Sequence, residues 1–159
     1  QEDKDALWKA LLDDRIDVIA TDHAPHTLEE KINPYMTCPS GGPLVQHAVV
    51  AMFEAHHQGK ISVEKIVEKM CHNPAKIFKI EKRGFIKEGY YADIAIVNAY
   101  LPWNVKKENI LYKCGWSPFE GYNFKSRVTH TFVNGKLVYH NGKVKDVKVG
   151  QRLLFEREV

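Results

Sequence analysis

Long apolar runs are missing from this sequence. No stretch of its 159 residues approaches the ~20 consecutive apolar positions that a membrane-spanning helix needs. The opening residues are polar and charged and do not read as a secretory signal. Cysteine is scarce, with three residues (Cys38, Cys71, Cys114) widely spaced and odd in number. That excludes a disulfide framework or a zinc knuckle and fits reduced thiols, so a cytoplasmic location is expected. Charge of one sign is also lacking. Twenty-three basic residues face 20 acidic ones, and a spread-out net charge of +3 is too small to suggest nucleic acid. What remains is a globular composition, 44% hydrophobic and 27% charged, long enough for one ordinary domain.

The chain is organised around Asp17-Val18-Ile19-Ala20-Thr21-Asp22-His23-Ala24-Pro25-His26. Val18 to Ala20 predict a buried strand over 17–21. Pro25, with no N–H to give a ladder, lies beyond its end. Alternation puts Val18, Ala20 and Asp22 on one face, so Asp22 continues an apolar face at the strand's carboxyl end. In parallel α/β folds ligands bind at that end. An Asp there can ligate a metal or carry a proton, and His26, four residues on, can face the same cavity. The bland alternative is an Asp capping the next turn beside two solvated imidazoles. For a bare D-H-x-x-H pattern it weighs about equally, because short motifs match by chance.

Around this motif the periodicity is clear. Ala6, Leu7, Ala10 and Leu11 predict a helix over 3–14, and Leu44, Ala48, Ala51, Met52 and Ala55 a second over 44–58. Ser62 caps a third, and Asn73-Pro74 opens a short fourth. Residues 27–43 show no period and read as a long functional loop, in which Gly41 and Gly42 let the backbone approach a ligand. From Lys82 the texture changes to strands. Asn134-Gly135 and Asn141-Gly142 predict tight hairpin turns between strands 127–133 and 136–140. Asp93 reads as a turn or strand-start hydrogen-bonding group. His56, His57, His130 and His140 carry no catalytic expectation.

Thr21-Asp22-His23-Ala24-Pro25-His26-Thr27-Leu28-Glu29-Glu30-Lys31 resembles the last barrel strand and following loop of the dihydroorotase family, within the amidohydrolase superfamily. Asn73-Pro74-Ala75-Lys76-Ile77-Phe78 is similar to the superfamily's helix leading out of the barrel. Gly84-Phe85-Ile86 to Ala92-Asp93-Ile94-Ala95-Ile96 is similar to its attached β-sandwich. The resemblance implies an α/β fold: the C-terminal part of a (β/α)8 TIM-type barrel in residues 1–80, then β-sandwich strands and a tail in 81–159. A whole barrel needs roughly 250 residues, so the chain is expected to be the C-terminal portion of a longer enzyme.

The resemblance also implies the activity, a zinc-dependent, reversible interconversion of N-carbamoyl-L-aspartate and L-dihydroorotate in pyrimidine biosynthesis. Asp22 is implied as proton carrier and ligand to one metal. His26 is implied to contact the substrate carboxylate, and Ser40 and Gly41 the ring amide and carbonyl through their backbone. Two zinc ions are implied, with most ligands, including a His-x-His pair, supplied by earlier strands. No His-x-His occurs here, so this chain alone is expected to lack the metal centre and to be inactive. The expected partners are a small-molecule substrate and further copies of the full-length enzyme, with neither nucleic acid nor membrane. Two alternatives stand beside this: an inactive scaffold subunit that has lost its metals, and a hydantoinase- or allantoinase-type cyclic amidase.

Overall fold

The computed structural model describes residues 1–156. Acidic Glu2, Asp3 and Asp5 sit in the first turn of α1 (Glu2–Leu12), where they favour the positive helix end, and Leu11 is its buried contact. Four-residue α2 (Leu28–Lys31) follows the motif. The second predicted helix begins later than expected, as α3 (Ala48–His57). Ser62 caps α4 (Val63–Val67) by accepting from Lys65 N at 3.1 Å. A π-helical turn (Glu68–His72) then runs into α5 (Asn73–Ile77), with a proline in its first turn. The strands are β1 (Ile94–Asn98), β2 (Trp103–Asn104), β3 (Asn123–Phe124), β4 (Arg127–Val133), β5 (Lys136–His140) and β6 (Lys143–Val144).

The chain divides into two compact units. The first comprises residues 1–19, 56–96 and from 129 onward. Here β1, β4, β5 and β6 form a sheet in that order, with β4, β5 and β6 antiparallel. Both Asn-Gly pairs turn as expected, with Asn134, Gly135, Asn141 and Gly142 all at positive φ. Asp93 does what its bland reading says: its carboxylate accepts from Asn134 N at 2.7 Å and pairs with Arg83.

One expectation fails. Residues 17–21 do not pair as a strand, and Val18 and Ile19 are only half-buried. A parallel strand exists only beside hydrogen-bonding neighbours, and among the described residues neither sheet includes this segment. The helical turns hold its start instead. Buried Lys69 gives its ammonium to Ile16 O (2.5 Å) and Asp14 (2.9 Å), and its carbonyl accepts from Ile19 N at 3.2 Å. Asn73 Nδ2 donates to Asp17 O at 2.9 Å. Asp14 is held to about 2 by hydrogen bonds from Lys65 and then Lys69.

The second unit comprises residues 20–55 and 97–128. Its core is Val50, Val105 and Phe124, with Trp103, Ile110 and Phe119 packed around them, and β2 pairs with β3 above it. Both loop stretches that bear on function, 20–47 and 112–119, belong to this unit.

Candidate functional site

The motif is a loop folded back on itself. His23 bridges Gly42 in parallel fashion, and Ala24 N donates to Gly42 O at 3.1 Å. Residues 39–42 therefore lie along residues 22–24. Gly41 has φ 82°, and a Cβ there would come within 2.7 Å of the Ala24 Cβ. Only glycine fits that approach without a backbone shift. Lys31 fixes the same strap from the other side, donating to Pro39 O (2.5 Å) and Gly41 O (3.1 Å), the carbonyls flanking Ser40. Ser40 and Gly41 are both exposed.

Asp22 is exposed and left-handed, with φ 43°. Asp and Asn tolerate that region better than other residues with a side chain. Non-glycine residues held there concentrate at functional sites. His23 Nδ1 accepts from Leu44 N (3.1 Å) and Val45 N (3.4 Å), so its proton sits on Nε2. Those bonds secure the end of the strap just before α3.

His26 is held at three points. Its N–H donates to Ala24 O at 2.9 Å, closing a turn around Pro25. Its carbonyl accepts from Trp116 Nε1 at 2.8 Å. Its Nδ1 lies 3.3 Å from Glu30 Oε2. Glu30 closes a capping box with Thr27: Thr27 N donates to Glu30 Oε2 at 2.8 Å, and Glu30 N to Thr27 Oγ1 at 3.3 Å. The Glu30 carboxyl is lowered, first by the Thr27 N–H and more weakly by His26.

The structure thus brings Asp22, Ser40, Gly41 and His26 onto one doubled loop. The roles of Glu30, Lys31 and Trp116 escaped the sequence reading. Thr27-x-x-Glu30 is a capping-box signature that was there to be found. Nothing local marked Lys31 or Trp116, whose partners lie eight or more residues away.

A second group in this unit is structural. His47 is fully buried, with Nδ1 at 3.2 Å from both Tyr112 OH and Ser117 Oγ. Tyr112 OH accepts from Gln46 N at 2.8 Å, so its proton is available to His47. Nε2, buried among Trp103, Phe119 and Phe124, has no partner among the described residues. Burial pushes this imidazole down to about 4. The folded form is neutral, whereas the unfolded residue takes up a proton near its ordinary 6.5. Between those values unfolding binds a proton, so stability falls as pH drops through that window. At ~1.4 kcal/mol per unit the loss reaches roughly 3 kcal/mol. Urea midpoints from pH 7 to pH 4.5 should fall, and the slope should flatten in His47→Gln. A slope unchanged by the substitution would contradict this.

Zinc needs three or four ligands in a structural or catalytic site. Among the described residues no group of three or more His, Cys, Asp or Glu side chains is arranged to hold a metal. Asp22 is one carboxylate, so the residues present do not by themselves fit a binuclear centre. No described helix is long and apolar enough to cross a membrane.

The chain belongs to the amidohydrolase family, whose model matches residues 1–138. It carries that family's α/β architecture, the C-terminal part of a TIM-type barrel followed by strands of the attached β-sandwich. It is 39% identical to the dihydroorotase of Pyrococcus furiosus over 154 residues, covering 97% of this chain and 36% of that protein. Against the dihydroorotase of Endomicrobium trichonymphae the identity is 43% over 141 residues, 87% of this chain and 33% of that protein. Among solved structures, a D-hydantoinase from Thermus sp. superposes with a TM-score of 0.82 at 23% identity, over 89% of this chain and 32% of that one. An L-hydantoinase from Arthrobacter aurescens superposes at 0.79 with 27% identity, over 87% of this chain and 32% of that one. The chain spans about a third of the length of the relatives it matches.

Proposed function

We propose that the full-length protein is a zinc-dependent cyclic-amide hydrolase of the cytoplasm, interconverting N-carbamoyl-L-aspartate and L-dihydroorotate in pyrimidine biosynthesis. The observation that carries this is the similarity to dihydroorotases across nearly the whole chain. In this reading residues 1–80 belong to the barrel and 81–159 to the β-sandwich and tail. The substrate is a small molecule, and the remaining zinc ligands lie outside these 159 residues.

Asp22 takes the proton of the attacking water and returns it to the ring nitrogen as the amide C–N bond breaks; ring closure reverses these transfers. It would also be one ligand of a bound zinc ion, which would supply Lewis-acid activation of the water. Its exposed, left-handed position on a braced loop supports the assignment. The backbone at Ser40 and Gly41 hydrogen-bonds the ring amide and carbonyl, and the strap's contact with residues 22–24 supports a fixed distance to Asp22. His26 binds the substrate carboxylate.

His26→Ala tests this reading. The loss of one hydrogen bond to a charged group should raise KM for dihydroorotate roughly 10- to 100-fold. For dihydrouracil, the same ring without the carboxylate, KM should hardly change. Equal effects on both would show that His26 does not read the carboxylate. The similarity to an L-hydantoinase at 27% identity supports a second reading, a hydantoinase-type cyclic amidase. A hydantoin substrate turned over in preference to dihydroorotate would favour it.

A further inference from the structure

We infer that Glu30 is a positioning residue for substrate recognition, holding the His26 ring in the orientation that binds a carboxylate. The inference rests on the role proposed for His26. A His26 Nδ1 beside Glu30 Oε2, at 3.3 Å, is the donor of that contact. In a neutral imidazole with Nδ1 protonated, Nε2 is an acceptor and repels a carboxylate. A ring that faces Glu30 through Nδ1 and a substrate carboxylate through Nε2 donates from both nitrogens, as an imidazolium does. A single oxygen, Oε2, serves both Thr27 N and His26 Nδ1, so the helix cap and the recognition residue share one anchor. Neighbouring Lys31 directs its ammonium to the Pro39 and Gly41 carbonyls, away from this role. The His26 backbone is already fixed by Ala24 and Trp116, leaving the side-chain rotation for Glu30 to set.

Capping and positioning separate cleanly. Gln at this position preserves the capping box, because its amide oxygen also accepts from Thr27 N. It removes only the negative charge. Glu30→Gln in the full-length enzyme should therefore fold normally. KM for dihydroorotate should rise roughly two- to fivefold, the range of an exposed ion pair. Neither kcat nor the KM for dihydrouracil should move. In a His26→Ala background the same substitution should add nothing, since Glu30 acts through His26. Glu30→Ala should show the selective KM effect together with lower thermal stability from the lost cap.

Three results would overturn the inference. Equal KM changes for both substrates would show a structural effect alone. An unchanged KM in Glu30→Gln, with His26→Ala still selective, would remove Glu30 and leave the reading of His26 standing. A His26→Ala enzyme with no selectivity would remove both.

Discussion

Asp22→Asn in the full-length enzyme is expected to abolish turnover while leaving the fold intact. Asn is nearly the same shape and tolerates the left-handed backbone at least as well as Asp, so φ 43° is no obstacle. Asp22 is exposed, and no packing depends on its charge. What the amide lacks is the ability to take and return a proton. Loss of a general acid–base group costs about 10²–10⁴-fold. Steady-state rates should show that loss in both directions of the reaction, with circular dichroism unchanged. Rates within a few-fold of wild type would remove Asp22 as proton carrier.

Gly41→Ala is expected to cost about as much through geometry alone. A left-handed residue with a Cβ pays about 1–2 kcal/mol relative to glycine. The new methyl would also lie 2.7 Å from the Ala24 Cβ, so the strap or the motif must move. Displacements near 1 Å at a reacting centre can cost ~10²-fold. We expect kcat/KM to fall about that far, with stability lowered by the about 1–2 kcal/mol of the left-handed backbone. The strap should also exchange its amide hydrogens faster at Ala24, whose N–H donates to Gly42 O. Wild-type kcat/KM in this variant would show that the strap does not set the site.

Elements whose causes are local were legible in the sequence. The Asn-Gly turns fix their own backbone sign, and Ser62 caps its helix through a partner three residues away. Asp93 was legible from its place just before the β run, although its partners Asn134 and Arg83 lie 41 and 10 residues away. Where partners are distant, the pattern misled. The apolar run 17–21 is a strand by composition, but its state depends on neighbours that the described residues do not supply. Helix α3 starts at Ala48 rather than Leu44, because residues 45–47 form a turn in which His47 N donates to Leu44 O at 3.0 Å. Leu44 and Val45 donate to His23, and Gln46 donates to Tyr112. Four-residue α2 is too short to show a period, although its capping box is written in Thr27 and Glu30. His56, without a catalytic expectation, pairs its Nδ1 with Ile61 O at 2.9 Å. The burial of His47 has distant causes too, since aromatic rings from 103–124 close around it.

Asp22 and its doubled loop are proposed to serve an enzyme that interconverts dihydroorotate and N-carbamoyl-L-aspartate. Turnover by the purified full-length protein of L-dihydroorotate, dihydrouracil, hydantoin and allantoin, side by side, tests this proposal most directly. The expected result is ring opening of dihydroorotate, cyclisation of N-carbamoyl-L-aspartate in reverse, and little activity on the three rings without a carboxylate. Preference for hydantoin or allantoin, or no turnover of any of the four by a folded, zinc-loaded protein, would contradict it.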